Sequence, residues 1–223
     1  MNFRFLLTYW PLFLSGAVNT LVLAFFTVLL GSVLGLGIAL MKLSHNKPLV
    51  FVSSAYIEII RGTPLLVQIF IIYYGLPLNF PAAFVLGIDL SRFIPGIIAL
   101  SINSAAYVAE IIRAGILAVD KGQMEAARSL GFNTKRAMKL VVLPQAVKNI
   151  LPALGNEFVV IIKESSIVSV IGIAELMYNS SIVRGVTFRP MEPLLVAAVL
   201  YFIMTFSLSK GLGVAERRMR TSD

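Results

Sequence analysis

The sequence predicts an all-α integral membrane protein in which five membrane-crossing helices are interrupted by one polar helix on the cytoplasmic side. Three observations carry that expectation. Of its 223 residues, 58% are hydrophobic, where a soluble domain holds roughly 45–50%, and mean hydropathy is +0.88. The charges fall in patches between long apolar runs, as a bilayer requires. One charged stretch, Glu125 to Pro144, is too short and too polar to cross hydrocarbon, so it projects into water with a span on either side. The net charge of +8 would by itself suit a nucleic acid, but its distribution points to a lipid bilayer and to no nucleic acid. With no Cys and a single His, His45, neither a disulfide nor a thiolate or imidazole metal cluster is expected. The opening MNFRFLLTYWPLFLSG lacks a strong basic region followed by a small-residue cleavage site, so it reads as retained.

The first span is expected from about Leu14 to Met41, because Thr20 through Leu40 carries no charge. Gly31, Gly35 and Gly37 give it a small face on which another helix can approach closely. The second span runs from about Phe51 to Gly75. Glu58 and Arg61, at i,i+3, suggest an ion pair on one face, and Gly62-Thr63-Pro64 kinks or restarts the helix. Residues 77–92 form a loop with Pro77, Pro81 and Asp89 as breakers. The third span, from about Phe93 to Val119, places Asn103, Tyr107 and Glu110 on one face and pairs Glu110 with Arg113.

Asp120, Lys121 and Gly122 turn the chain into the polar helix. Glu125, Ala126 and Ala127 open it; Arg128, Lys135, Arg136 and Lys139 line its polar side; Leu130, Phe132, Ala137, Met138 and Leu140 supply a greasy one. Gly131 permits a sharp bend where a Cβ would clash. Pro144 fixes φ at the start of the fourth span, where its missing N–H is harmless. That span reaches about Val170 and carries Glu157, Lys163 and Glu164. Residues 171–192 suggest short helices at the outer interface, and the last span covers about Pro193 to Leu212 before the basic tail ERRMRTSD.

Lys42, Lys47, Arg61, Arg113, Lys121, Arg128, Lys135, Arg136, Lys139, Lys148, Lys210, Arg217, Arg218 and Arg220 fall on one side, and only Arg4, Arg92, Arg184 and Arg189 on the other. Basic residues concentrate in the cytoplasm, which puts the N-terminus outside, the C-terminus inside and the Glu125 loop in the cytoplasm.

The loop also resembles a known motif: Glu125-Ala126-Ala127, three residues, Gly131, nine residues, Val141, one residue, then Leu143-Pro144. This is similar to the EAA loop of ABC importer permeases, with Val141 where Ile is usual. The stretches around Glu58-Ile-Ile-Arg61-Gly62-Thr63-Pro64-Leu65, SINSAAYVAEIIRAGI and LPALGNEFVVIIKESSIVSVIG resemble the polar amino-acid uptake family of such permeases. The resemblance implies a type I ABC importer permease fold, with one transmembrane domain over residues 1–223 and a coupling loop at about residues 120–144. It further implies a bacterial cytoplasmic (inner) membrane, a second permease subunit identical or homologous to this one, two ABC ATPase subunits and an extracytoplasmic amino-acid-binding protein. Glu125, Ala126, Ala127, Gly131 and Pro144 would be the ATPase-coupling residues. No G-x-x-x-x-G-K-[ST] loop is present, so ATP is used by the partner ATPase and this chain needs no cofactor of its own.

For the substrate, a zwitterion requires both donors and acceptors. Asn103 lies eight residues after Pro95, roughly 12 Å from the outer end at about 1.5 Å per residue, close to Ser104 and Tyr107. Glu164 and Ser165 on the oppositely running fourth span are expected to share that depth. These five either contact the substrate or, for Asn103 and Ser104, hydrogen-bond a neighbouring helix. Glu157, one heptad before Glu164, would extend an acidic lining. An acidic lining favours cationic side chains; Lys163, if it faced the path instead, would favour neutral or acidic ones. An intramembrane enzyme lacks its ingredients, since no Ser/Lys or metal constellation stands out. An ion-coupled transporter or channel remains the alternative, though such folds often show internal repeats and none is evident.

Overall fold

The computed structural model describes residues 2–76, 80, 83–85 and 88–220. Its elements are α1 (Leu6–Lys42), α2 (Lys47–Gly62), α3 (Leu65–Gly75), a hairpin of β1 (Phe84–Val85) and β2 (Ile88–Asp89), α4 (Leu90–Leu117), α5 (Lys121–Ser129), α6 (Thr134–Ala137), α7 (Leu143–Glu164), α8 (Leu176–Thr187) and α9 (Glu192–Arg220). A π-helical turn, Met138–Val142, joins α6 to α7, and a 3-10 stretch, Ser165–Ile171, follows α7.

α1 begins eight residues before the expected start at Leu14. Phe5 and Phe13 explain the extension, because they are buried against Leu176, Val183 and Ala197 of α8 and α9. Gly16, Thr20, Ala24, Thr27, Gly31, Gly35 and Ala39 form a buried stripe of small residues along α1. Two of the three glycines singled out in the sequence sit on it. A Cβ on Gly31 would lie 3.1 Å from Ser104, and one on Gly35 would lie 2.8 Å from Val108 and 2.9 Å from the Ala105 carbonyl. Gly37 is the exception. It faces away, with nothing within 4 Å of where its Cβ would stand.

α1, α4 and α9 are each long and apolar enough to cross a membrane, and the bent pair α2–α3 makes a fourth such unit. α7 does not pass on composition, since its 22 residues include Lys148, Glu157, Lys163 and Glu164. At about 1.5 Å per residue it is still roughly 33 Å long, and it is the fifth long element of the bundle. It packs Ile161 and Ile162 against Ala24 of α1 and shares the α4 core through Ile150 and Leu154. α9 has the opposite character, with Val199, Phe202, Ile203 and Phe206 all exposed, as a lipid-facing helix requires.

The loop expected at residues 77–92 is shorter than predicted. Pro77 and Pro81 lie outside the described residues. Asp89 closes the hairpin and caps α4, accepting from the Ser91 amide at 3.0 Å and hydroxyl at 2.6 Å, so α4 starts at Leu90 and not Phe93. The fourth span ends as a regular helix at Glu164, before the expected Val170. The chain then tightens and leaves through Gly172 at φ +79°, whose carbonyl accepts from Arg92 Nη1 at 3.3 Å.

α8, at 12 residues, is short as expected, and it is bolted into the bundle by polar groups. Glu175 is fully buried at its start. Its carboxylate accepts from the Met177 amide at 2.8 Å, the Tyr178 amide at 2.7 Å and the Tyr201 hydroxyl at 2.7 Å. Asn19 donates to the Ala174 carbonyl at 2.7 Å, and Asn179 to the Leu12 carbonyl at 2.8 Å. Glu175→Ala should cost about 3 kcal/mol, because it strands donors whose burial is otherwise satisfied. Thermal unfolding in detergent will measure this, and Tyr201→Phe, which removes one donor only, should cost less.

Candidate functional site

Two groups of residues stand out: a polar cluster in the middle of the bundle and the exposed loop between α4 and α7.

The cluster begins where α2 breaks from α3. Pro64 forces Thr63 into extended backbone, φ −119° and ψ 146°, as a residue before proline prefers, and the two helices meet at 108°. The break leaves carbonyls without helical partners, which apolar surroundings make costly. Gln68 satisfies them. Its Nε2 donates to the Ile60 carbonyl at 2.7 Å, the Thr63 carbonyl at 3.0 Å and Thr63 Oγ1 at 2.8 Å. Its Oε1 accepts from Asn103 Nδ2 at 2.9 Å. One helical step away, the Ser104 hydroxyl donates to Glu157 Oε1 at 2.8 Å, with both residues buried.

Of the five residues expected to meet a substrate, the structure brings Asn103 and Ser104 together with Gln68 and Glu157. Tyr107, 38% exposed, lies one turn further along α4, with the Arg61 guanidinium 5.4 Å from its ring centroid. Arg61 therefore lies over Tyr107 and makes no ion pair with Glu58 among the described residues. Glu164 does not share the depth of Asn103. The Ser104–Glu157 hydrogen bond puts Glu157 level with the Asn103–Ser104 turn of α4. Glu164 stands seven residues beyond, roughly 10 Å further along α7 at about 1.5 Å per residue. Ser165 is fully buried and its hydroxyl donates back to the Ile162 carbonyl at 2.7 Å, so it turns into its own helix and away from the cluster. Glu157, expected as an extension of the acidic lining, is the carboxylate that meets Ser104. Gln68 was legible, since it follows the Gly62-Thr63-Pro64 break within reach of the released carbonyls.

Toward the Leu117 end of α4, Glu110 accepts from Lys42 at 2.9 Å and from Arg113 at 3.0 Å. The expected Glu110–Arg113 pair is therefore present, and Lys42 ties α1 into it.

The loop is a helix–turn–helix. α5 opens at Lys121, capped by Asp120, which accepts from the Gly122 amide at 2.7 Å. Glu125, Ala126 and Ala127 thus sit in mid-helix and do not open it. α5 ends at Ser129, and Gly131, two residues on, turns the chain at φ +89°. The Phe132 amide reaches the Ala127 carbonyl at 3.2 Å and the Gly131 amide the Arg128 carbonyl at 3.0 Å, the paired bonds of a Schellman turn. Glycine is needed there for its left-handed backbone, since a Cβ would touch nothing within 4 Å. The clash expected from the sequence is absent.

Asn133 caps α6 by accepting from the Arg136 amide at 2.9 Å. From Thr134 the chain stays helical to Glu164. Pro144 therefore lies inside a continuous helical run and not at a fresh start. The π turn before it carries a bond from the Leu143 amide to the Met138 carbonyl. Its wider spacing accommodates a ring that would crowd the carbonyl four residues back. The expected greasy side splits in two. Ala127 and Ala137 pack inward, while Leu130, Phe132 and Leu140 are exposed among the exposed Arg128, Lys135, Arg136 and Lys139.

Residues 28–221 match the family described as binding-protein-dependent transport system inner membrane component. The chain is 40% identical over 213 residues to the arginine transport system permease protein ArtQ of Bacillus subtilis (strain 168), covering 96% of this chain and 94% of that one. It is 41% identical over 220 residues to the putative glutamine transport system permease protein GlnP of Rickettsia conorii, covering 97% and 98%. Among solved structures, one chain of an amino acid ABC transporter crystallised with histidines superposes with a TM-score of 0.90 at 54% identity, covering 98% of this chain and 99% of that one. A chain of the inward-facing MetNI methionine ABC transporter shares the fold, with a TM-score of 0.77 at 18% identity, covering 94% and 97%.

Proposed function

The chain belongs to the family of binding-protein-dependent transport system inner membrane components, and from that premise we propose that it is the membrane-spanning permease of an ATP-driven amino-acid importer. It is a transport subunit and not an enzyme; the ATPase is a separate subunit. The observation that carries this reading is the loop of residues 121–142. It presents an apolar tip of Leu130, Phe132 and Leu140 ringed by cations, at the end of the bundle where Lys42 and Arg113 also gather. Such a tip suits a groove on a water-soluble partner, and we assign that partner as the ATPase, with Glu125, Ala126, Ala127, Gly131 and Pro144 shaping the docked loop. The loop side is then cytoplasmic, the N-terminus lies outside and the C-terminus inside. A second permease, identical or homologous, closes the path, and an extracytoplasmic binding protein delivers the amino acid.

The mechanism follows from helix continuity. α4 leads from Ser104 to the loop with three residues between Leu117 and Lys121, and the helical run 134–164 leads from the loop back to Glu157. When ATP draws the ATPases together, displacing the loop moves both walls of the Ser104–Glu157 cluster. The cycle runs because bound nucleotide and bound substrate favour different states of the pair.

Asn103, Ser104, Tyr107, Glu157 and Glu164 line the substrate path in this reading, and Ser165 supports it from the 3-10 stretch that follows α7. Two carboxylates where charge is poorly screened favour a basic side chain. Transport of arginine, glutamine and glutamate by the reconstituted complex tests this. Glu157→Gln and Glu164→Gln should each lower the arginine-to-glutamate ratio by about ten-fold, the effect of roughly 1.4 kcal/mol. An unchanged ratio in both would mean that neither carboxylate reads the side chain.

A further inference from the structure

Arg61 is the penultimate residue of α2, at the break of the bent α2–α3 pair, which is long and apolar enough to cross a membrane. It is exposed on the surface of the subunit. A cation within a span ordinarily pairs with an acid or faces a water-filled cavity, because exposure to lipid is costly. The nearest acids along the chain and across the interface do not serve it. Glu58, one turn earlier, is not within ion-pair distance, and Glu110, three residues past Tyr107, is engaged by Lys42 at 2.9 Å and Arg113 at 3.0 Å. Among the described residues the recorded contact of the guanidinium is the Tyr107 ring, 5.4 Å from its centroid. No hydrogen bond or ion pair engages its N–H groups among the described residues, so all five remain available as donors.

We propose that Arg61, set over the Tyr107 ring, receives the α-carboxylate of the amino acid on its way through the permease. The inference rests on reading the Ser104–Glu157 cluster as part of the substrate path. Tyr107 follows Ser104 by three residues, so the ring beneath the guanidinium is carried about one helical turn from Ser104, on the α5 side. A zwitterion there has acceptors for its ammonium at Glu157 and a planar donor edge for its carboxylate at Arg61. The planar match gives two parallel N–H···O bonds, which a lysine cannot make. A position one turn nearer the loop also suits a residue that draws the substrate inward as the path opens on that side.

The experiment compares each amino acid with its decarboxylated amine, arginine with agmatine and histidine with histamine. Binding is measured on the purified permease–ATPase complex without the binding protein. The unmodified complex should prefer the amino acid by ten-fold or more. Arg61→Gln should bring that preference close to one, by weakening the amino acid and leaving the amine unchanged, and Arg61→Lys should fall between. Tyr107→Phe, which keeps the ring, should leave the preference intact, and Tyr107→Ala should reduce it. Equal loss of amino acid and amine in Arg61→Gln, with unfolding temperature preserved, would make Arg61 a general structural or partner-pairing residue and overturn the proposal. So would an unmodified complex that does not distinguish the two ligands, or an Arg61→Gln complex that distinguishes them as well as before. Absence of any binding to the unmodified complex, or full binding in Ser104→Ala with Glu157→Gln, would instead remove the path reading beneath it.

Discussion

Gly35→Leu will dismantle the α1–α4 interface. A single Cβ at this position already meets Val108 at 2.8 Å and the Ala105 carbonyl at 2.9 Å, and the latter is backbone and cannot rotate aside. Overpacking of this kind typically costs about 1–3 kcal/mol, occasionally more. Here a further three carbons have to be housed against a helix backbone, so the upper end of that range is expected. The outcome should be loss of the monodisperse complex in detergent and a fall in unfolding temperature of several degrees. Gly37→Leu is the control, two residues along the same helix, with nothing within 4 Å of its Cβ direction. It should be nearly silent. Equal stability of the two variants would show that the small stripe of α1 does not set the helix spacing.

Gly131→Val will separate ATP hydrolysis from transport. The substitution forces a β-branched residue to φ +89°, a conformation that costs about 1–3 kcal/mol. The loop relieves that strain by unwinding its Schellman turn. α5 would then no longer present Leu130 and Phe132 at the angle set by the turn. Since no neighbour crowds the site, the bundle itself should keep its unfolding temperature. Transport by the reconstituted complex should fall ten-fold or more, while basal ATPase activity persists and loses its stimulation by substrate-loaded binding protein. Gly131→Asn, whose side chain tolerates the left-handed region, should retain most of the coupling. Glu125→Lys, which reverses an exposed charge on α5 without touching the turn, should weaken coupling through docking alone. If Gly131→Val transports at the normal rate with stimulation intact, the turn geometry does not serve coupling.

What was legible in the sequence were features that local chemistry or periodicity writes down. The uncharged Thr20–Leu40 run, the Gly62-Thr63-Pro64 break and the Glu110–Arg113 pair all appear where expected, because each depends on residues adjacent along the chain or one turn apart. The harder features required knowing which helices touch. Asn103 was open to two readings, and its amide donates to Gln68, a contact with the α2–α3 elbow that no spacing along α4 could reveal. Glu164 was placed level with it in a span expected to reach about Val170, but the helix ends at Glu164 and the Ser104 hydrogen bond marks Glu157 as the level residue. Ser165 offered a hydroxyl that the tightened turn after α7 directs back to Ile162. Gly37 shares the residue type of Gly35 and lacks its partner helix, which no spacing rule on α1 alone could reveal. Arg61 looked like half of an i,i+3 pair until α4 supplied an aromatic face.

The composition of α7 bears on how this protein is made. A helix carrying Lys148, Glu157, Lys163 and Glu164 is a poor candidate for entering a bilayer unaided, since each central charge costs about 2.5–3.5 kcal/mol on insertion scales. Its welcome has to come from helices already there. α1 and α4 are synthesised before it, and they hold the hydroxyl of Ser104 that receives Glu157 and the apolar surface that receives Ile161 and Ile162. The order of translation is thereby also an order of dependence. The two early apolar helices, seated by their own hydropathy and locked at Gly31 and Gly35, form the template on which the charged α7 can be laid down from the ribosome.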